Sequence, residues 1–394
     1  MNTNDRWLLP EGIDEALPET AAWLETARRQ LIDLYQGWGY RLVMPPFIEY
    51  LDSLLTGSSH DLDLQTFKLT DQLSGRMMGL RADMTPQVAR IDAHRLRENQ
   101  PTRLCYLGTV LTTRPAGFAG SRSPLQVGAE LYGHEGIGSD SEILRLMLET
   151  LQCCGIDSVH VDLGHVGIFR AVARASGLDA RQTETLFDMM QRKSNPEIQT
   201  FLASLKLDPE AQQGLSQLAS LHGGEEILKP ARDILGFAGT EVSGFITTLE
   251  KLATTIKNQF PKVIVNYDLS ELRGYHYETG AVFAAYVPGE GQEIARGGRY
   301  DGVGREFGRS RSAVGFSVDL KTLQRISTLK FENSRRMIWA PEQQDPDLSA
   351  AIRQLRAAGD CVVCALDGQD GARTFGCSYR LVKQSDQWVV KEIT

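Results

Sequence analysis

Apolar residues recur at helical spacing near the start of the chain, at Leu24, Ala27, Leu31 and Leu34. Pro18 and Glu19 suit a first turn and Gly37 can end the run, so the pattern predicts a helix over 17–36. A short strand over 39–46 stops at Pro45 and Pro46. Alternation over 66–70 and 76–81 around a polar turn at 71–75 predicts a hairpin. Pro86 then marks a helix start for which Thr85 is the natural N-cap. Two strand-like runs, 103–111 and 125–132, flank a loop rich in Gly, Ser and Arg. Ser139 opens a helix with Glu142 completing a capping box, an apolar run over 143–151 and Gly155 at the end; a strand over 159–163 follows.

Residues 168–176 and the segments from 183 to 257 read as helices without a chemical motif. They predict an inserted helical subdomain at about 178–259, with His222 and its two following glycines in a loop. A strand over 262–267 leads into the stretch around which the chain is organised, 272–319. Two strand-like segments there are separated by Gly297-Gly298 and closed by a third over 313–319. Glycines in strands let backbone approach a ligand closely, and arginines and tyrosines surround them, so this stretch reads as a pocket floor for something small and polar. After Leu323 the pattern changes to a strand over 336–340, a helix over 347–358, a strand over 361–366 and a strand pair over 377–382 and 387–393. That is a small α/β appendage at 330–394.

A length of 394 residues with 42% apolar content allows two or three domains and a large core. The balance of 42 basic against 50 acidic residues, net −8, leaves no footprint for nonspecific nucleic-acid binding. The N-terminus lacks the long apolar region of a signal peptide and no apolar run reaches the ~18 residues of a membrane span, so a cytoplasmic location is expected. The six cysteines are too sparse for a disulfide framework. Cys361-Val-Val-Cys364 sits in a strand-like run where residues three apart face opposite ways, and no histidine follows it. Buried structural cysteines are expected there, with neither a metal nor a cofactor.

Arg273-Gly274-Tyr275-His276-Tyr277 and Gly297-Gly298-Arg299-Tyr300-Asp301-Gly302 resemble the two histidine-recognition signatures of histidyl-tRNA synthetases, which are class II enzymes. Departures from those signatures resemble the synthetase paralogue that serves as regulatory subunit of ATP phosphoribosyltransferase. The resemblance spans roughly 7–323. It implies an α+β fold over 1–323, with an antiparallel sheet flanked by helices. The first helix and strand resemble motif 1, which implies a dimer interface, although an ordinary amphipathic helix and edge strand explain that pattern equally. By resemblance Asp83, Thr85 and Gln126 hold an α-ammonium, Arg273 a carboxylate, and Glu130 with Tyr277 and Tyr300 an imidazole.

These roles suit the chemistry of the groups. Competing readings stand beside them: Asp83 and Thr85 as helix caps, Gln126 and Glu130 as a solvated strand face, His276 as a structural histidine. The second tyrosine expected after Tyr277 is Glu278, which points to rearranged imidazole recognition using Tyr275.

Two arginines that clamp the triphosphate in class II enzymes have no counterpart. Leu111 and Thr113 stand where motif 2 has its arginine and glutamate, and Lys321 and Thr322 where motif 3 has its glutamate and arginine. Losing one such stabiliser costs ~3 kcal/mol of transition-state binding, so adenylation is not expected unless Arg114 and Arg122 compensate. The shortened tail argues against tRNA recognition. The expectation is a noncatalytic, histidine-sensing regulatory subunit, dimeric and partnered with a short-form catalytic ATP phosphoribosyltransferase chain. The rivals are a histidyl-tRNA synthetase-like enzyme and a free-standing histidine- or RNA-binding module.

Overall fold

The computed structural model of the chain describes residues 7–56, 60–115, 120–272, 274–275, 277–331, 335–367 and 371–393, without the side chains of residues 60 and 61. The chain forms two compact units, Met1–Leu329 and Lys330–Thr394. The first is built on a sheet ordered Arg41–Leu42, Thr102–Thr109, Leu125–Tyr132, Ala313–Asp319, Ala295–Arg299, Ala281–Tyr286, His160–His165, Ile264–Asp268 and His222–Gly223. Its centre is antiparallel, as expected for the α+β fold. Arg41–Leu42 on Thr102–Thr109 and His160–His165 on Ile264–Asp268 are parallel pairs, so the whole sheet is mixed.

Strand alternation sends successive side chains to opposite faces. Phe316 points to one face and meets Tyr35 of the helix Pro18–Gly37 edge-on at 6.2 Å. Tyr35 in turn shares a 3.0 Å hydrogen bond with Thr150 of the helix Ile137–Cys153. That face is closed by apolar packing, and the neighbouring Gly315 opens onto the other.

Several local expectations change. The helix Thr85–Arg90 starts after Met84 without a side-chain cap, because the Thr85 hydroxyl is engaged with Glu130 and Tyr106. Ser139 lies inside the helix that begins at Ile137, and no capping box forms. Its hydroxyl donates to the Gly136 carbonyl at 2.8 Å, while Glu142 is taken by Arg103 and Tyr40. His222 is not in a free loop. With Gly223 it adds an edge strand to Ile264–Asp268, so the helical insertion is stitched back to the sheet.

Helix Val166–Ala175, which precedes that insertion, starts directly at the sheet. The His165 Nδ1 accepts the Gly167 N–H at 3.1 Å, and the ring stacks on Phe245 with centroids 4.1 Å apart. Burial, with the Arg170 and Arg299 guanidiniums, pulls the His165 pKa down to about 4 from 6.5. The unfolded chain therefore binds the proton first, and the stability carried by neutral His165 is present above about pH 6.5 and lost as pH falls toward 4. The effect amounts to up to about 3 kcal/mol. Urea titrations of wild type and His165→Asn at pH 7.5 and 4.5 should show the wild type's advantage shrinking at the lower pH. An unchanged difference would refute the assignment.

In the second unit the sheet order is Cys361–Cys364, Met337–Ala340, Tyr379–Gln384, Gln387–Glu392. The helix Pro346–Ala357 begins at Asp345, whose side chain caps it and also accepts from Lys383 and Trp388. Cys361 is half-buried and Cys364 exposed, contrary to the expected burial of the pair. Their strand is an edge strand and Cys364 is its last residue, beyond the packing around Val362.

Candidate functional site

The open face of the large sheet carries a cavity of about 310 Å³. Its floor is a row of registered neighbours on four strands: Glu130 opposite Gly315, Gly315 opposite Gly298, and Gly298 opposite Val282. The two glycines make room. A Cβ on Gly315 would fall on the Glu130 carboxylate and 2.9 Å from the Ala129 carbonyl oxygen; a Cβ on Gly298 would lie 2.8 Å from Glu278 Oε2. Each glutamate therefore lies flat over a glycine.

Glu130 is 1% exposed and accepts three hydroxyls: Thr85 at 3.1 Å, Tyr106 at 2.9 Å, and Tyr300. Burial pushes its pKa up to about 8, against the lowering pull of those hydroxyls. Tyr277 stacks on Tyr300 with centroids 5.0 Å apart. Asp83 is held at the rim, where its Oδ1 accepts the Gln126 amide at 2.7 Å and the Thr85 N–H at 3.1 Å. Gln126 Oε1 accepts the Met84 N–H at 2.9 Å, so Gln126 links Asp83 to the start of the helix Thr85–Arg90.

Of the residues expected at the site, Asp83, Thr85, Glu130, Tyr277 and Tyr300 line this cavity. Gln126 stands behind Asp83. Arg273 and His276 lie outside the described residues. Tyr275 is placed elsewhere: its ring packs on Phe187 at 4.7 Å and Phe169 at 5.5 Å, beneath the Arg170 guanidinium. It anchors the loop on the helical insertion, which corrects its expected part in ring recognition.

Arg299 also leaves the cavity. It is bound to Asp140 at 2.7 Å, the Ser139 hydroxyl and the Gly136 carbonyl, and so ties the pocket strand to the start of helix Ile137–Cys153. Sequence reasoning missed Glu278 as a cavity residue, along with Asp162, Glu271, Glu293 and Arg296. The glutamate standing where a tyrosine was expected was the available signal for Glu278. The others come from two strands and two loops and share no motif.

The positions of the missing phosphate clamps have other duties. The Leu111 N–H donates to the Arg81 carbonyl, and the Thr113 hydroxyl to the Leu64 carbonyl. Lys321 binds Asp14 and Ser123, while Thr322 belongs to the Asp319 cap. Arg122 spends its guanidinium on the carbonyls of Thr112 and Glu11, and Arg114 is exposed; neither lines the cavity. Compensation by these two arginines finds no geometric support.

The family model described as histidyl-tRNA synthetase matches residues 12–323, and the model described as the ATP phosphoribosyltransferase subunit HisZ C-terminal domain matches residues 335–391. The chain is 57% identical to the ATP phosphoribosyltransferase regulatory subunit of Thioalkalivibrio sulfidiphilus, over all of both chains. It is 53% identical to that of Methylococcus capsulatus, over 98% of this chain and 96% of the other. Among solved structures, an ATP phosphoribosyltransferase regulatory subunit/histidyl-tRNA synthetase from Bacillus halodurans matches with a TM-score of 0.81 at 26% identity, covering 94% of this chain and 96% of that one. A histidyl-tRNA synthetase from Nostoc shares the fold, with a TM-score of 0.78 at 18% identity over 98% and 94% of the two chains.

Proposed function

Because the chain belongs to the family of ATP phosphoribosyltransferase regulatory subunits, we propose that it senses histidine and regulates a catalytic ATP phosphoribosyltransferase chain in histidine biosynthesis. One observation carries the reading: the cavity keeps the groups that suit an amino acid, while the positions that would clamp a triphosphate are committed to structural bonds. In this reading Asp83 and Thr85, with Gln126 behind them, receive the α-ammonium and Arg273 the carboxylate. Glu130, Tyr277 and Tyr300 receive the ring.

The partner is a short-form catalytic chain in the cytoplasm. Free regulatory chain supports its activity, and the histidine-bound chain favours an inhibited assembly. Coupling of ~1–3 kcal/mol between the two sites suffices and is reciprocal, so the catalytic chain's state also alters histidine affinity. Dimerisation through the first helix and strand accords with Met44 and Phe47, which are 78% and 39% exposed beside that strand.

Calorimetry on the purified chain tests the sensor reading. Histidine should bind, Arg273→Ala should weaken it at least tenfold, and the same sample should show no ATP-pyrophosphate exchange. Exchange at synthetase-like rates would instead establish an adenylating enzyme, and absence of histidine binding would refute sensing at this cavity.

A further inference from the structure

Glu278 is half-buried and lines the cavity, and its Oε2 is buried without a hydrogen-bond partner. Such an atom is costly to leave unpaired, and in a residue that lines a cavity it is one that a ligand can satisfy. Its placement relative to Glu130 is fixed by the sheet. Gly298 and Gly315 are directly opposite on antiparallel strands, so their missing side chains would project to the same face on about a 5 Å grid. Glu278 fills the space above one and Glu130 the space above the other. The two carboxyl groups thus stand side by side over one floor.

Both are acceptors when ionised, and after burial the Glu130 charge is the next largest influence holding the Glu278 carboxyl above its usual range. A neutral imidazole ring carries one N–H donor and one acceptor and satisfies only one carboxylate; an imidazolium carries two donors, and its positive charge favours ionisation of both carboxyls as it binds, although each is hard to ionise in the ligand-free chain. Asp162, Glu271 and Glu293 also line the cavity, and Arg296, the cation among its described lining residues, lies 3.7 Å from Glu293. The other charges acting on Glu278 are Asp301, which opposes its ionisation, and Arg170, whose guanidinium donates to the Glu278 main-chain carbonyl at 2.9 Å. Tyr277, whose hydroxyl is also buried without a partner, flanks the same space.

We infer that Glu278 is a specificity-determining residue of this cavity and that, with Glu130, it grips the ligand's ring as an imidazolium, one N–H to each carboxylate. This rests on the reading of the cavity as an amino-acid site and goes beyond it by naming the protonation state selected and the residue that selects it. A ring with a single donor, such as the triazole of 1,2,4-triazole-3-alanine, leaves one buried carboxyl unpaired and binds more weakly.

The test is nitrogen NMR of ring-15N-labelled L-histidine bound to the full chain, from pH 6.5 to 8.5. Free histidine, with a side-chain pKa of about 6.5, is almost wholly neutral at the upper limit. The bound ring should keep the two nearly equal nitrogen shifts of an imidazolium throughout. Glu278→Gln, which preserves shape, should bind histidine at least tenfold more weakly at pH 8.5 and split the two nitrogen shifts of the bound ring. Triazolylalanine should bind wild type at least tenfold more weakly than histidine does. A neutral bound ring in wild type overturns the inference while leaving histidine sensing intact, and this result does not depend on the variant folding. Unchanged affinity and spectrum in a folded Glu278→Gln chain overturn the role of Glu278. If histidine does not bind at all, the sensor reading falls and the inference falls with it.

Discussion

Gly315→Ala should abolish histidine binding, lowering affinity by at least a hundredfold, and should destabilise the chain by several kcal/mol. The added Cβ falls on the Glu130 carboxylate and lies 2.9 Å from the main-chain oxygen of Ala129. The carbonyl belongs to the paired strand Leu125–Tyr132 and cannot retreat without breaking the ladder, so the carboxylate must move. Moving it strands the hydroxyls of Thr85, Tyr106 and Tyr300 in a buried site. Overpacking costs ~1–3 kcal/mol, and each unsatisfied buried donor adds ~1–3 kcal/mol. Gly236→Ala is the control, because its Cβ meets nothing within 4 Å. Calorimetry and urea unfolding of both variants check the expectation. Retained binding in Gly315→Ala would mean that the ligand does not use the floor on which Glu130 lies.

The sequence disclosed this floor for a physical reason. Glycines inside apolar strands are expensive unless something must come close, and Gly297-Gly298 and Gly315 stand in strands that are otherwise regular. The alternation over 125–132 likewise set Gln126, Gly128 and Glu130 on one face, and the structure keeps that face on the cavity side: Gly128 has the Tyr106 hydroxyl above it, and Glu130 reaches the cavity. Period and register are local properties, and strands reveal them.

What stayed hidden depends on which partner wins a side chain. Thr85 and Ser139 both look like N-caps, and both are claimed by tertiary bonds, Thr85 by Glu130 and Ser139 by Arg299. Tyr275 and Tyr277 sit two apart in one signature, yet one packs on Phe187 of the helical insertion and the other stacks on Tyr300 in the cavity. The loop before the strand Ala281–Tyr286 has no period from which to assign a face, so neither Tyr275 nor Glu278 could be placed by spacing. The acidic residues Asp162, Glu271 and Glu293 meet at the cavity only because the sheet brings distant segments together.

Glu130→Gln should separate the stability of the chain from its ligand affinity. Burial raises the Glu130 pKa from 4.5 to about 8, so the folded state holds its proton more tightly than the unfolded chain does. The associated stability is fully present below about pH 4.5 and is lost as pH rises through 8. Over that span the loss reaches up to about 4–5 kcal/mol, and glutamine, which does not titrate, escapes it. Urea unfolding should therefore show the variant gaining on the wild type between pH 5 and pH 8. Glu278 remains in both chains, and because the Glu130 charge helps to raise its pKa, it ionises more easily in the variant and adds to the variant's gain. Histidine affinity should meanwhile fall about a hundredfold, because an amide oxygen cannot supply the charge a cationic ring requires. A carboxyl buried among three hydroxyls and working against stability at neutral pH is what a ligand-binding role for Glu130 would explain. A variant whose advantage does not grow with pH would show that Glu130 is not held protonated in the folded chain, and undiminished histidine affinity would place the ligand's ring elsewhere.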